Sequence, residues 1–221
     1  MKKNKKAVVF GTGYFGELVN FYLENDSSYK VVAFCETSPK SKFFCTKPLV
    51  DFARVENIYS PDEFEMFIAI GYRKMNGLRK EYCEKAQEKG YKLLSYISSK
   101  ATYWDQANKF GVNVFIFEDN TIQPFVEIGD GTILWSGNHI GHHSKIGAYC
   151  FITSHVVISG YCNIANQCFL GVNATLVDGI QLGQKALIGA GGYVSKGMSD
   201  NQVTIQQSSK IIEANSDKFF R

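Results

Sequence analysis

Residues 140–164 read IGHHSKIGAYCFITSHVVISGYCNI, with an isoleucine at every sixth position. The same spacing extends in both directions, so that fifteen successive positions from Phe110 to Val194 are all apolar. The residue that follows is Gly at seven of these positions, and the fifth residue of most hexads is small or β-branched. This period of six predicts a solenoid in which each hexad forms one short strand and one turn.

The hexads also predict the cross-section of the solenoid. The apolar first residue points into a narrow interior, the small fifth residue fills the remaining room, and glycine permits the tight corners. About three hexads close one coil, so residues about 18 apart stack on one face, and the whole repeat gives about five coils. We interpret the cysteines at the fifth position as packing residues: Cys150, Cys162 and Cys168.

The first hundred residues follow a different pattern. An apolar strand at residues 7–10 is followed by the glycine turn 11–16 and a helix with an apolar face. Further strands are predicted at 31–34, 66–70 and 93–97, with an amphipathic helix over 76–89, an alternation that indicates a parallel sheet. We therefore expect an α/β Rossmann-like half-domain over residues 1–98, an all-β, left-handed parallel β-helix over 99–198, and a C-terminal tail over 199–221.

Composition excludes several classes of protein. The 221 residues are 45% hydrophobic and 20% charged, which suits a chain that buries a core. The net charge of +3 is small and no basic stripe is interleaved with aromatic residues, so no nucleic-acid partner is expected. No segment has the length of a membrane span, and the apolar stretch after the N-terminal lysines is too short for a secretion signal. The six cysteines form no C-x-x-C pair, which favours a cytoplasmic protein with reduced thiols.

The turn Gly11-x-Gly13-x-x-Gly16 predicts an anion site, because backbone N–H groups at the start of a helix favour phosphate. Glu36 ends the second predicted strand, where an acidic residue binds ribose hydroxyls in dinucleotide enzymes. Fewer than 100 residues precede the repeats, about half of a full dinucleotide fold, which argues against a NAD-dependent enzyme. After the next predicted strand, Arg73 is explained equally well as a ligand of a pyrophosphate and as an exposed side chain.

The hexads with Gly141-His142-His143-Ser144-Lys145-Ile146-Gly147, preceded by the glycine turn, resemble a family of bacterial sugar O- and N-acyltransferases. This family is related to sialic acid O-acetyltransferase and to the acetyltransferases of nucleotide-linked amino sugars, and the resemblance covers nearly the whole chain, from about Lys6 to Met198. It implies a homotrimer with acyl-CoA in the groove between adjacent β-helices. It also implies a nucleotide-sugar held by the N-terminal domain, with the sugar directed at a histidine.

All four histidines lie between residues 139 and 155. Acyl transfer needs a nucleophile freed of its proton, which a neutral imidazole can take. The resemblance implies that the base is the first residue of a His-acid pair, His142 here, with a structural turn as the alternative role. His143 stands where the family has Asp or Glu, and both His143 and His155 either line the site or are structural. A zinc site with His139, His142 and His155 lacks the expected ligand pattern, so no metal is expected.

The resemblance implies binding residues in both halves of the chain. Residues expected near acyl-CoA are Phe151, Gly160, Val172, Ala190 and Lys196. Residues expected near the nucleotide-sugar are Gly11, Gly13, Tyr14, Glu36, Gly71, Tyr72, Arg73, Asn138 and His155. The expected activity is acetyl-CoA-dependent N-acetylation of a nucleotide-linked deoxyamino sugar for surface glycan synthesis, such as that of lipopolysaccharide. Sugar O-acetylation and a non-catalytic nucleotide-sugar-binding scaffold are the alternatives.

Overall fold

The computed structural model describes residues 2–213 and Ser216. The chain begins with an α/β unit built on a five-stranded sheet of order β3-β4-β2-β1-β5, in which only the β3–β4 pair is antiparallel. Its elements are β1 (Lys5–Phe10), α1 (Tyr14–Asp26), β2 (Tyr29–Glu36), β3 (Phe43–Phe44), β4 (Lys47–Asp51), a 3-10 turn (Phe52–Asn57), β5 (Glu65–Ile68) and α2 (Gly77–Glu88).

The predicted strands at 7–10, 31–34 and 66–70 and the predicted helix at 76–89 are confirmed, with ends shifted by a few residues. The last predicted strand differs. Only β6 (Tyr96–Ile97) forms, and it pairs with β8 (Phe115–Ile116) of the repeat region, while Leu93 keeps a single bridge to Met66. This short strand therefore links the two halves just before residue 98, where the sequence predicts the domain boundary.

From Lys109 to Val194 the chain forms a two-residue strand every six residues, as the hexads predict, and one further strand follows. Besides β8, these strands are β7 (Lys109–Phe110), β9 (Thr121–Ile122), β10 (Glu127–Ile128), β11 (Ile133–Leu134), β12 (His139–Ile140), β13 (Lys145–Ile146), β14 (Phe151–Ile152), β15 (Val157–Ile158), β16 (Asn163–Ile164), β17 (Phe169–Leu170), β18 (Thr175–Leu176), β19 (Gln181–Leu182), β20 (Leu187–Ile188), β21 (Tyr193–Val194) and β22 (Val203–Thr204).

These strands make three parallel sheets, the faces of a triangular β-helix. We call them the charged face (β7, β10, β13, β16, β19), the covered face (β6, β8, β11, β14, β17, β20, β22) and the open face (β9, β12, β15, β18, β21). Paired residues are 18 apart, as in the Ile128–Ile146 pair, so three hexads make one coil. The predicted fold class, an α/β unit followed by a parallel β-helix, is confirmed. Residues 214, 215 and 217–221 of the expected tail lie outside the described residues.

The interior is filled as predicted, since the second residue of every strand from β8 to β21 and the small fifth residues of the hexads are buried, including the three cysteines. Asn138 corrects one expectation. It occupies a fifth position, is 1% exposed, and donates to the side chain of Asn120 and to the carbonyl of Trp135. Its Oδ1 accepts from the Val156 backbone N–H. Asn138 is therefore buried in the interior, where its amide is satisfied by neighbouring coils.

The hexad glycines are required for a different reason than the one expected. A Cβ at Gly129 would lie 2.6 Å from the backbone nitrogen of Ala148, and one at Gly171 would lie 2.5 Å from that of Ala190. Neither glycine has a positive φ. The backbone of the next coil passes too close for a side chain, so close approach and not corner conformation selects glycine here.

The α/β unit packs on the covered face. Phe15 and Tyr22 of α1 contact the rings of Phe115 and Phe117, and Tyr72 lies on the rings of Phe151 and Phe169. In a triangular β-helix, the corner between the open and charged faces is the one opposite the covered face. That corner, which contains residues 141–144 and which we call the histidine corner, faces away from the α/β unit.

Candidate active site

The glycine turn between β1 and α1 opens a cleft in the α/β unit. Gly11 has φ +113°, a conformation that residues with a side chain rarely adopt, and a Cβ at Gly16 would collide with the carbonyl of Gly11. Gly13 precedes α1 with nothing within 4 Å of where its Cβ would lie, so a ligand can approach this backbone closely. The turn therefore has the shape that the sequence motif predicts.

The cleft has a volume of about 460 Å³ and lies at the carboxyl ends of β1, β2 and β5. Five of the residues expected near the nucleotide-sugar line it: Gly11, Gly13, Glu36, Gly71 and Arg73. It therefore offers one carboxylate and one guanidinium, suited to hydroxyl groups and to phosphate respectively. The carboxylate of Glu36 accepts a hydrogen bond from the Thr12 hydroxyl, which fixes its position.

Sequence reasoning missed several lining residues of this cleft. Tyr82, from α2, forms one wall and stacks on Phe10 with ring centroids 4.2 Å apart. Thr12 lies within the glycine motif, and its hydroxyl could have identified it as a polar lining residue. Nothing in the sequence links Tyr82 to β1. The stacked rings give the cleft an apolar side, on which a planar group can lie.

Two expected ligand residues lie elsewhere. Tyr14 is 90% exposed in the first turn of α1 and does not line the cleft. Tyr72 packs across the domain junction, with its ring centroid 5.1 Å from that of Phe151. The structure thus gives Tyr72 a packing role between the two halves, although Gly71 and Arg73 on either side of it do line the cleft.

The second functional group of residues is the exposed pair His142 and His143 at the histidine corner. The Nδ1 atoms of the two rings are 3.2 Å apart, within hydrogen-bond distance. The backbone N–H of His142 donates to Oε1 of Gln123 at 2.9 Å. His143 has a φ of +59°, and the residues at the equivalent corner positions of neighbouring coils also have a positive φ. The tight corner therefore projects both rings outward from the β-helix.

Stacking between coils holds these rings. The His143 ring lies between those of Phe125 and Tyr161, with centroids 4.7 and 4.9 Å away, and is nearly parallel to Tyr161. The His142 ring lies against Gly160, where a Cβ would be 3.0 Å from its Cε1 atom. All three neighbours are 18 residues from a histidine, so the predicted coil length was the signal that would have identified them.

The other two histidines are separate from this pair. His139 is on β12 of the open face, and His155 is at the corner between the covered and open faces, where its ring lies on Gly137. His155 is exposed and therefore accessible to a ligand from outside. Among the described residues, no group of three His, Cys, Asp or Glu side chains is arranged to hold a metal ion.

The five residues expected near acyl-CoA are distributed over three parts of the β-helix. Gly160 and Lys196 belong to the histidine corner, whereas Val172 and Ala190 follow strands of the covered face, at the corner that also holds His155. Phe151 is 4% exposed beneath the α/β unit, against Tyr72. Its side chain therefore packs the domain junction and is not accessible from outside.

The cleft beside the glycine turn and the histidine pair lie on opposite sides of a single chain. The cleft belongs to the α/β unit on the covered face, and the pair lies at the opposite corner. The cleft and the histidine pair therefore do not line one pocket within a single chain. No helix in the described part of the chain is both long and apolar enough to span a membrane.

Comparisons with known proteins agree with this architecture. Residues 125–160 match the family described as bacterial transferase hexapeptide (six repeats), and residues 164–196 match the hexapeptide repeat of succinyl-transferase. A curated relative, 2,3,4,5-tetrahydropyridine-2,6-dicarboxylate N-succinyltransferase of Xylella fastidiosa, is 26% identical over 77 residues, 31% of this chain and 28% of the relative. The chain thus matches just over a quarter of the length of that relative.

Two solved structures share the fold over nearly the whole chain. The acetyltransferase domain of PglB from Neisseria gonorrhoeae has a TM-score of 0.82 at 21% identity, covering 95% of this chain and 100% of that one. PerB from Caulobacter crescentus, solved in complex with CoA and GDP-perosamine, has a TM-score of 0.81 at 24% identity, covering 92% and 95%. The resemblance to hexapeptide-repeat sugar acyltransferases is therefore confirmed at the level of the fold, α/β unit included.

Proposed function

We propose that this hexapeptide-repeat protein is an acetyl-CoA-dependent N-acetyltransferase of a nucleotide-linked deoxyamino sugar, acting in the cytoplasm in surface glycan synthesis. The observation that carries the proposal is the exposed His142–His143 pair, on a chain whose whole fold is that of a protein solved with CoA and GDP-perosamine. The mixed polar and aromatic cleft in the α/β unit supports the same assignment.

The cleft would hold the nucleotide part of the acceptor. The backbone N–H groups at Gly11 and Gly13 would meet phosphate at the start of α1, since the positive end of a helix dipole favours an anion. Arg73 would add a charge-assisted hydrogen bond to the pyrophosphate, and Glu36 would accept from ribose hydroxyls. The Tyr82 ring would cover the apolar side of the bound nucleotide.

His142 would act as the general base. Its Nε2 atom makes no hydrogen bond with residues 2–213, so it is open to a substrate. Nε2 would take the proton of the sugar amine as the nitrogen bonds to the thioester carbonyl carbon. The tetrahedral intermediate would then collapse with cleavage of the C–S bond, and His142 would return the proton to the departing thiolate of CoA.

A homotrimer would bring the two halves of the site together. Because the cleft and the histidine corner of one chain face opposite directions, the cleft of one chain would serve the histidine corner of its neighbour. Acyl-CoA in the groove between two chains would contact Gly160 and Lys196 of one chain and the partner's Val172 and Ala190. This division accounts for their distribution over two corners.

The direct test is product analysis with the purified protein. Acetyl-CoA and a panel of UDP-, dTDP- and GDP-linked amino sugars would be incubated with the protein, and free thiol and acetylated sugar would be measured. Transfer to an amino group supports the proposal. The corresponding sugars that carry a hydroxyl in place of the amino group are assayed in parallel. Transfer to these alone assigns O-acetylation. Binding of nucleotide-sugars without any response to acetyl-CoA assigns a non-catalytic scaffold.

A further inference from the structure

We propose that His143 is a positioning residue that fixes the tautomer of His142. Its Nδ1 atom accepts a hydrogen bond from Nδ1–H of His142, which keeps the Nε2 lone pair of His142 free for the proton of the substrate. The inference rests on the acyl-transfer function proposed above. It assigns the task of a carboxylate to a neutral imidazole, at the position where the family resembled by the sequence has an acidic residue.

The distance between the two rings requires a definite proton arrangement. At 3.2 Å, the two Nδ1 atoms share one hydrogen, because two protonated or two unprotonated nitrogens would repel each other. Which ring donates that hydrogen depends on the tautomers of the two histidines. If His142 donates, its Nε2 is unprotonated and can act as a base. If His143 donates instead, His142 carries its proton on Nε2 and cannot accept another there.

The surroundings of the two rings separate their roles. His143 is clamped between the rings of Phe125 and Tyr161, so its orientation is fixed by packing on both faces. His142 rests on Gly160, which has no side chain, and meets Tyr161 only edge-on. The ring of His143, held on both faces, is suited to orient the ring of His142. The less confined ring of His142 is suited to meet a substrate.

The hydrogen bond also suits the charged stage of the reaction. When Nε2 of His142 takes a proton, its Nδ1–H is still donated to the unprotonated Nδ1 of His143. The positive charge gains a stronger, charge-assisted hydrogen bond, and neither ring has to move. This stabilises the imidazolium in the same way as an orienting carboxylate stabilises it in a catalytic triad, without adding a negative charge.

Two variants of His143 separate the hydrogen bond from the stacking. In His143→Asn, the Oδ1 atom of Asn takes the place of the His Nδ1 atom and still accepts a hydrogen bond. Asn also tolerates the φ of +59° at this position. His143→Phe keeps an aromatic ring between Phe125 and Tyr161 and removes the acceptor. We expect kcat of His143→Asn within about 3-fold of wild type and a loss of about 10-fold or more for His143→Phe, with KM for acetyl-CoA unchanged in both. Equal losses in the two variants, or no loss in either, would overturn the proposal.

A second measurement needs neither activity nor a variant. In wild-type protein labelled with ¹⁵N-histidine, the ring nitrogen shifts report which nitrogen of His142 carries the proton, with His142→Ala used for assignment. The proposal requires Nδ1–H on His142, and an Nε2–H tautomer overturns it. This result decides the matter even if His143→Phe does not fold. It also remains valid if the protein transfers acyl groups to no substrate, in which case the proposed function fails separately.

Discussion

The ring of His142 lies on Gly160, the residue that takes the same corner position one coil later. A Cβ at Gly160 would come within 3.0 to 3.4 Å of three ring atoms, closer than side chains normally pack. Gly160 does not have a positive φ, so its backbone accepts another residue. The absence of a side chain at this position therefore lets the His142 ring lie directly against the next coil.

Replacing Gly160 by Ala is expected to displace the imidazole by a few tenths of an ångström. Because proton transfer depends on precise reach, we expect kcat to fall by about 10-fold while the melting temperature changes little. Steady-state kinetics with thermal melting measures both. Gly77→Ala is the matched control, since its Cβ would meet only ordinary contacts at 3.6 Å and beyond. Full activity of Gly160→Ala would contradict a role for this contact.

Arg79 joins the two halves of the chain, and it has no carboxylate partner among residues 2–213. It is fully buried and donates to the carbonyls of Ile70 and Gly71 in the α/β unit and to those of Gly131, Tyr149 and Cys150 in the β-helix. Burial lowers the pKa of Arg79 to about 10, so the guanidinium is still charged at neutral pH. These hydrogen bonds thus hold Ile70 and Gly71, which line the cleft, against the β-helix.

We expect Arg79→Met to reduce the free energy of unfolding by about 3 kcal/mol or more, because several buried carbonyls lose their donor at once. Denaturant titration measures the change. Lys80→Met is the control one residue away, since its exposed ion pair with Glu84 contributes about 1 kcal/mol or less. If the two variants are equally stable, the buried hydrogen bonds of Arg79 do not stabilise the junction.

The repeat could be predicted almost completely because its physics is local. Every coil needs the same inward apolar residue and the same small residue, so the pattern is visible in the order of residues alone. Asn138 shows the limit of that reasoning. The family resemblance implied a ligand contact for Asn138, but its amide is satisfied within the interior by pairing with Asn120, 18 residues earlier.

The candidate site was predicted in its chemistry and not in its geometry. The glycine turn predicted the cleft because a backbone shape needs glycine at fixed positions. Tyr82 could not be found in the same way, since it reaches the cleft from α2 through tertiary packing with Phe10. The clamp around His143 differs, because its two aromatic residues lie one coil away on either side and the predicted coil length of 18 residues points to them.

Asp26 ties the end of α1 to the start of the repeat region. Its carboxylate accepts from the Tyr96 hydroxyl at 2.7 Å and from the Ser99 backbone N–H at 2.9 Å. Burial acts to raise the pKa of Asp26, but hydrogen bonds from Ser99, Tyr96 and Ser98 outweigh it and hold that pKa below its ordinary value. The ionised form is thus favoured in the folded protein.

The lowered pKa fixes the sign of a pH effect. A depressed carboxyl pKa contributes stability that is fully present above the ordinary Asp pKa of about 4 and is lost as pH falls through the folded value. Asp26→Asn should therefore be less stable than wild type at pH 7, and the difference should shrink below about pH 4. Thermal melts over this range measure it, with exposed Asp62→Asn as the control. A pH-independent difference would argue against this account.

The opposite orientation of cleft and histidine corner predicts complementation between inactive variants. His142→Ala removes the base, and the double variant Glu36→Ala/Arg73→Ala removes the polar groups of the cleft. If a site takes its cleft from one chain and its base from the next, random mixed trimers regain about a quarter of the intact sites. Co-expression followed by activity assay measures this recovery. No recovery from confirmed mixed trimers, or a monomer in light scattering, would show that the site is built otherwise.

His142→Ala distinguishes the two acyl-transfer reactions. General-base contributions are typically about 10²- to 10⁴-fold, so kcat should fall in this range while KM for acetyl-CoA stays nearly constant. An amine is partly deprotonated near neutral pH, so loss on an amino sugar should be near the low end, and raising the pH should partly restore the rate. A hydroxyl loses its proton only during attack, so an O-acetyltransferase should lose more and recover little. The kcat of the variant measured between pH 7 and 9 therefore reports the nucleophile. Full activity of His142→Ala with inactive His143→Ala would move the base to the second histidine.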